Sequence, residues 1–546
     1  MSEGILNRLG QSRWTLRIVV LAVVSLMVLR CLLGVFGGSE PYLNNDEPRH
    51  IMTAIFWYDF LRIRPLSDPV GFTYAYYGHY PVIAPLHWPP LGHLMGALAF
   101  QVTGPSVEAA RLLALLIALG FLWATGAWVR QWAGSQASLF AVVLLAGCPL
   151  FLEFASVFML EVPCLFWISL AVLTFGLYVR KGNALYVWLT AAFVLAALLT
   201  KQHGLTVAPL LLAGAVAGFS RRQWRSPHLW VAAAAGVGAA YYCLALRSIT
   251  TSWQDLAVSS NSLPDCILEF VLAIGPLLAG LGVAALMALA VFFRRSRAGW
   301  VGLIWAAGVV AFFLGMGVKE VRYLIFLLPV AAAGGGFVLQ AIFNRANSAA
   351  RLALLVGLLA VSGYQTLRIP PARLNGYARA AKRADELSAG SAVVFGGKFD
   401  GTFILYRRLG DQRLTSVTLR TGKLLGSGVV IPGRNYREYV SSEQEILDRL
   451  AAVGAGLIVT EQDVEMDRPA YRLFWKLLEG DQFQLVDEIP ARYANGQVKA
   501  VRFHRYLGPV EAAAEVTLPM PSLSVGQIRA DLGKPLLDWN RAGDAR

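Results

Sequence analysis

Asn44-Asn45-Asp46-Glu47-Pro48 places two adjacent carboxylates a few residues after the first long apolar block. Paired acids beside a bilayer are costly unless they are solvated or used. Pro48 suits the first turn of a helix, with the acids just before it, so one reading is a helix cap with a solvated acid. The chemical reading makes Asp46 a general base and Glu47 the partner that sets its position. Other ionisable residues recur at the ends of apolar blocks. They are Glu161 in Met159-Leu160-Glu161-Val162-Pro163, Lys201 in Leu199-Thr200-Lys201-Gln202-His203-Gly204, and Lys319, Glu320, Arg322 and Tyr323 in a third tip. Snorkelling toward the interface competes as an explanation, most strongly for Lys201. The acids suit proton transfer, whereas Arg offers a fork and Lys a point charge to a phosphate.

Aromatic residues cluster beside these groups. Tyr74-Ala75-Tyr76-Tyr77-Gly78-His79-Tyr80 is followed by His87-Trp88-Pro89-Pro90. Aromatic belts at membrane interfaces have this composition. The same density, with Trp88, Tyr77 and His79, suits stacking on a sugar, and both readings stay open at this level.

Those residues need a scaffold, and the composition says what kind. Of 546 residues, 56% are apolar and 15% charged. Soluble chains carry about 25% charged residues, so a disordered chain, a collagen and an ordinary cytosolic enzyme are excluded. The formal charge is +14, with 48 Lys and Arg against 34 Asp and Glu. The basic residues gather in short loops, the orientation signal of a membrane protein rather than of a nucleic-acid binder. Five cysteines without a CxxC spacing argue against a disulfide framework or a zinc site.

A span needs about 20 mostly apolar residues. Eleven segments qualify, at roughly 14–36, 108–129, 136–156, 159–179, 184–200, 204–220, 228–247, 268–293, 299–316, 321–343 and 349–366. The first is read as signal and anchor together. The stretch 90–102 is too short and is read as re-entrant or interfacial. With the N-terminus cytoplasmic, each alternate loop from Arg130 onward is basic, and the first outer loop (37–107), Glu161, Lys201, the Lys319–Arg322 tip and the C-terminus all fall on the opposite face.

The expected domains are a membrane domain over 1–366 and an extracytoplasmic domain over 367–546. The latter alternates strand-like and helix-like runs, as in an α/β layer domain. A strand at 391–395 leads into Gly396-Gly397-Lys398, read as a tight strand-to-helix turn with weak likeness to a phosphate nest. Ser442, with Glu445 three residues on, opens a helix. The tail after Gly508 reads as loosely ordered.

The ordered set of motifs resembles the membrane glycosyltransferases of GT-C fold, specifically the family 39/83 type that includes protein O-mannosyltransferases and lipid A aminoarabinose transferases. The matching residues are Asp46-Glu47, His87-Trp88-Pro89-Pro90, Glu161, Leu199-Thr200-Lys201-Gln202, and Lys319-Glu320-Val321-Arg322-Tyr323. The chain departs from the family pattern with His87 where some members have Lys, Glu161 where Asp is commoner, and Gln202 where Gly is usual. The resemblance implies a polytopic α-helical GT-C membrane protein, of about 11 spans plus juxtamembrane helices, with a C-terminal extracytoplasmic α/β domain. It implies an inverting glycosyltransferase, hexosyl or pentosyl, of a bacterial plasma or inner membrane.

The implied donor is a polyprenyl-phosphate sugar, and the implied acceptor a glycan, lipid or protein hydroxyl. The implied catalytic residues are Asp46, Glu47 and Glu161. Lys201, Arg322, Lys319 and His87 would hold the donor phosphate, and Trp88, Tyr77, His79 and Tyr323 would contact sugar or acceptor. No metal is obligatory, although a divalent cation could assist. The rival readings are a secondary transporter, which would carry its charges nearer the midplane and show inverted repeats, and a non-catalytic lipid-binding assembly protein.

Overall fold

The computed structural model describes residues 13–85, 87–249, 263–292, 297–316, 320–368, 374–426, 438–462, 468–493, 495–519 and 527–540. The chain forms two compact units. One comprises Met1–Gly37, Arg111–Ala245 and Ala257–Pro371; the other comprises Gly38–Ala110, Leu246–Leu256 and Ala372–Arg546. Residues 38–110 thus group with the C-terminal region.

The first unit is helical. Five helices among the described residues are long and apolar enough to cross a membrane: Trp14–Phe36, Val107–Ala133, Glu161–Lys181, Val321–Arg345 and Ser348–Arg368. Two bent helix pairs are apolar enough only when taken together, each as a broken span or a re-entrant loop. Ser135–Ala146 and Pro149–Ala155 meet at 70°, and Pro264–Ile274 and Pro276–Ala284 at 111°. Proline cannot continue the hydrogen-bond ladder at either break, and at the second Gly275 turns the chain at φ +81°. The expected spans 136–156 and 268–293 are therefore bent pairs. Ala184–Thr200, Gln202–Gly218 and Trp300–Leu314 are apolar but shorter. The chain is a multi-pass membrane protein.

Lipid explains the surface of the Arg13–Phe36 helix. Leu16, Val19, Val23, Met27 and Cys31 are buried at helical spacing, while Leu21, Leu29 and Leu33 on the other side are exposed yet apolar. Small residues bring the helices close. A Cβ on Gly336, in the Leu328–Arg345 helix, would lie 2.4 Å from the Ala137 carbonyl oxygen.

In the second unit a five-stranded sheet runs β2-β1-β3-β5-β4, with β1 (Ala392–Gly396), β2 (Thr418–Arg420), β3 (Ala455–Glu461), β4 (Phe483–Arg492) and β5 (Val498–Tyr506). β1 pairs in parallel with β2 and β3, and β5 runs antiparallel to β3 and β4. Such parallel neighbours need crossovers, and the Asp400–Gly410 helix lies on the β1-to-β2 connection. Every residue of β1 is buried, as in a strand covered on both faces. The tail is more ordered than its sequence suggests. β6 (Glu515–Pro519) and β7 (Gln527–Asp531) form a hairpin whose Val516 and Ala530 lie against Gly78. A short two-stranded pattern acquires order by packing on the Pro69–His79 helix.

Gly336→Ala should lower stability in detergent by about 1–3 kcal/mol through overpacking. Gly302→Ala, whose Cβ would meet nothing within 4 Å, is the matched control. Thermal unfolding of both variants checks this, and equal midpoints would contradict the close crossing.

Candidate active site: two charged clusters

In the helical unit, Glu161 opens the Glu161–Lys181 helix, and Lys201 closes the neighbouring Ala184–Thr200 helix. An acid at a helix N-terminus and a base at a C-terminus each complement the helix dipole. The two side chains meet at 2.5 Å, both buried. Lys201 is held in an extended conformation by a tight turn, in which Gly204 N–H donates to the Lys201 carbonyl at 2.9 Å. A Cβ on Gly204 would lie 2.7 Å from backbone atoms of Ala197 and Leu198, so the turn demands glycine.

Arg322 enters from the Val321–Leu327 segment. Its Nε lies 4.0 Å from Glu161 and 2.6 Å from Glu320. Tyr323 lies beneath both cations, 5.2 Å from the Arg322 guanidinium and 5.4 Å from the Lys201 ammonium. His203 packs between Phe312, Tyr323 and Phe326. The structure thus brings together Glu161, Lys201, Arg322 and Tyr323. Lys319 lies outside the described residues. Glu161 Oε2 is buried and has no hydrogen-bond partner among the described residues.

In the second unit, Asp46 sits where a 3-10 turn, Leu43–Asn45, passes into the Glu47–Ile63 helix. Asn45 adopts φ +56°, a conformation asparagine tolerates better than most residues. Glu47 is buried and accepts from the Tyr42 N–H at 3.2 Å. Arg49, one turn along, lies 3.9 Å from Asp46 and 3.8 Å from Asp400. Asp400 also accepts from Asn45 Nδ2 at 3.0 Å and pairs with Arg420. Burial opposes ionisation of Asp400, but Arg420, Arg49 and Asn45 outweigh it and hold its carboxyl below the usual range. Lys423, buried nearby, donates to the Pro519 carbonyl at 3.0 Å. Burial, with Arg420 and Arg49 adding like charge, drives its pKa well down.

Trp88 is ringed by histidines, 4.3 Å from His50 and 4.6 Å from His87 by ring centroids. His50 Nδ1 and His93 Nε2 lie 3.0 Å apart. Tyr77 and His79 are buried and turn to the protein itself, to the Pro519 and Ser416 carbonyls at 3.1 and 3.2 Å. No group of three or more His, Cys, Asp or Glu among the described residues is arranged for a metal ion.

Sequence reasoning missed Asp400, Arg420 and Lys423, which lie far along the chain from Asp46. Arg49 carried a local signal, three residues beyond Asp46 on one helix face. The Gly396-Gly397-Lys398 turn is occupied by the protein's own carboxyl group: the Phe399 N–H donates to Glu461 at 3.1 Å.

This bundle, with acidic and basic side chains at its helix ends, has the fold of the GT-C membrane glycosyltransferases. Residues 87–243 match the family model described as dolichyl-phosphate-mannose-protein mannosyltransferase. ArnT from Cupriavidus metallidurans bound to undecaprenyl phosphate is similar with TM-score 0.54 and 14% identity, over 88% of this chain and 97% of that one. The archaeal oligosaccharyltransferase AglB from Archaeoglobus fulgidus, in complex with an inhibitory peptide and a dolichol-phosphate, aligns with TM-score 0.54 and 16% identity, over 89% and 73%. Arabinofuranosyltransferase AftD from Mycobacteria gives 0.51 and 15%, over 93% of this chain but 41% of that longer protein. At these identities the likeness is one of fold. No curated protein sequence matches the chain.

Burial first, then His50 and His87, hold His93 neutral well below the usual imidazole range. The unfolded chain protonates it near pH 6.5. His93 therefore contributes stability above about pH 6.5 that is lost as pH falls toward its folded pKa. Thermal midpoints from pH 7.5 to 5.5 should fall less steeply in His93→Gln than in the wild type. Parallel slopes would refute this.

Proposed function

We propose that the protein is an inverting glycosyltransferase that moves a sugar from a polyprenyl-phosphate donor to an acceptor hydroxyl at the extracytoplasmic face of the membrane. The observation that carries the reading is the buried Lys201–Glu161–Arg322 cluster over Tyr323. Lys201, paired with Glu161, and Arg322, set between Glu161 and Glu320, can turn to a lipid phosphate and stabilise the charge left on it, an electrostatic role. The family match of residues 87–243, and neighbours of the same fold bound to undecaprenyl phosphate and dolichol-phosphate, support that donor class.

In the proposed reaction Asp46 takes the proton of the acceptor hydroxyl. The acceptor oxygen bonds to the anomeric carbon as the bond to the phosphate oxygen breaks, and the electron pair leaves with the polyprenyl phosphate. One such displacement inverts the anomeric centre. Glu47 sets the position of the Asp46 loop, and Lys201 and Arg322 hold the departing phosphate, with Lys319 or His87 assisting. Trp88 and Tyr323 offer stacking faces to a sugar. The positive-inside pattern supports a cytoplasmic N-terminus, about 11 crossings and an outward-facing C-terminal domain.

Purified protein incubated with a panel of polyprenyl-phosphate sugars and each acceptor class should release free lipid phosphate with one pairing. Asp46→Asn should then slow transfer about 10²–10⁴-fold, the usual loss of a general base, while the protein stays folded. A folded Asp46→Asn enzyme with undiminished transfer would refute the base assignment.

A further inference from the structure

The parallel strands β1, β2 and β3 end on one edge of the sheet, where open α/β sheets commonly bind ligands. Here that edge holds part of the protein. Lys398, Asp400 and Gly401 follow β1, Arg420 ends β2 and Glu461 ends β3. Against them lies the segment that carries Asp46. Asn45 Nδ2 donates to the Lys398 carbonyl at 3.2 Å and to Asp400 at 3.0 Å. The Thr402 hydroxyl donates to the Pro41 carbonyl at 2.6 Å. The Phe399 ring meets Tyr42 edge-on at 6.2 Å. Glu40 accepts from the N–H groups of Gly376, Tyr377 and Ala378 at 3.1, 2.8 and 2.9 Å, capping the Tyr377–Ser388 helix.

We infer that Asp400 is a positioning residue for Asp46, so that the C-terminal sheet holds the proposed base in its working geometry. The inference rests on the reading of Asp46 as the base. Asp400 sits between Arg49 and Arg420 and offsets both. Arg49 lies almost equally far from Asp400 and Asp46. Without the Asp400 charge, Arg49 is left beside Arg420 and swings fully onto Asp46. A tight Arg pair there occupies the lone pairs that must receive the acceptor proton. Asn45 is left with a weaker, uncharged acceptor at the same time, and the turn before Asp46 loosens. Gly401 marks how closely the two segments approach: a Cβ there would lie 2.9 Å from Asn45 Oδ1 and 3.1 Å from Pro48 Cγ.

The test uses the full-length protein with the donor and acceptor pair on which it turns over. Asp400→Asn should lower kcat about 10- to 100-fold, the scale expected when a reacting group is displaced by about 1 Å, with the donor KM unchanged. Asp400→Glu should recover much of that loss. Gly401→Ala, which displaces the loop without changing charge, should likewise lower kcat and spare donor KM. An Asp400→Asn enzyme with wild-type kcat would overturn the inference. So would a kcat loss that Asp400→Glu does not relieve and that tracks a matching fall in thermal midpoint. Asp46→Asn runs in parallel: if it is inactive while Asp400→Asn is unaffected, the positioning role fails and the base assignment stands. If Asp46→Asn is fully active, both fall.

Discussion

A carboxylate buried among apolar helices must be paired, and in the membrane unit Glu161 is the one on which the local architecture turns. It is fully buried, and an isolated charge there would cost several kcal/mol even after relaxation. Two helix ends supply the answer. The helix that Glu161 opens favours a negative charge at its start, and the next helix, Ala184–Thr200, favours a cation at its end, where Lys201 stands. The tight turn at Gly204 and the extended chain at Lys201 follow from bringing those ends together. Arg322 then shares the same carboxylate from a third segment. Such a cluster is poised rather than closed, because Arg322 divides its charge between Glu320 and Glu161 and Glu161 keeps an oxygen without a hydrogen bond among the described residues.

The second unit meets the same constraint with different parts. Each buried charge at the sheet edge finds its partner from a distant stretch of chain. Asp400 lies between Arg49 and Arg420, Glu461 fills the turn after β1, and Asp59 accepts from Arg408 and from Tyr76. These pairings tie the segment after the first span to the C-terminal sheet, making the acidic motif part of a folded domain. The strand-to-helix turn of the C-terminal region carries groups that touch the acidic motif directly.

How much of this was legible depended on whether the signal was local. The low charge content and long apolar blocks announced a membrane scaffold. Glu161, Lys201 and Arg322 stood out because ionisable residues are rare among such blocks. Their meeting was a parity argument that the helix ends make concrete. The bent spans were less visible, since an apolar run looks continuous across Cys148-Pro149 or Gly275-Pro276 even where the backbone turns sharply. The role of Asp400 was hidden altogether. Its partners Asn45 and Arg49 are more than 300 residues away, and an acid opening a helix is ordinarily a cap. Tyr77 and His79 illustrate the reverse case: an aromatic cluster suited to sugar stacking is instead bonded to backbone carbonyls within its own unit.

The proposed role of the Lys201–Glu161–Arg322 cluster is to receive a lipid phosphate. Equilibrium binding of undecaprenyl phosphate to the wild-type protein and to Lys201→Met, in nanodiscs, tests it most directly. Affinity should be at least about tenfold weaker in the variant, the equivalent of one charge-assisted contact of about 1.4 kcal/mol or more, while the variant remains folded. Equal affinity in the two proteins, or no binding to either, would contradict it.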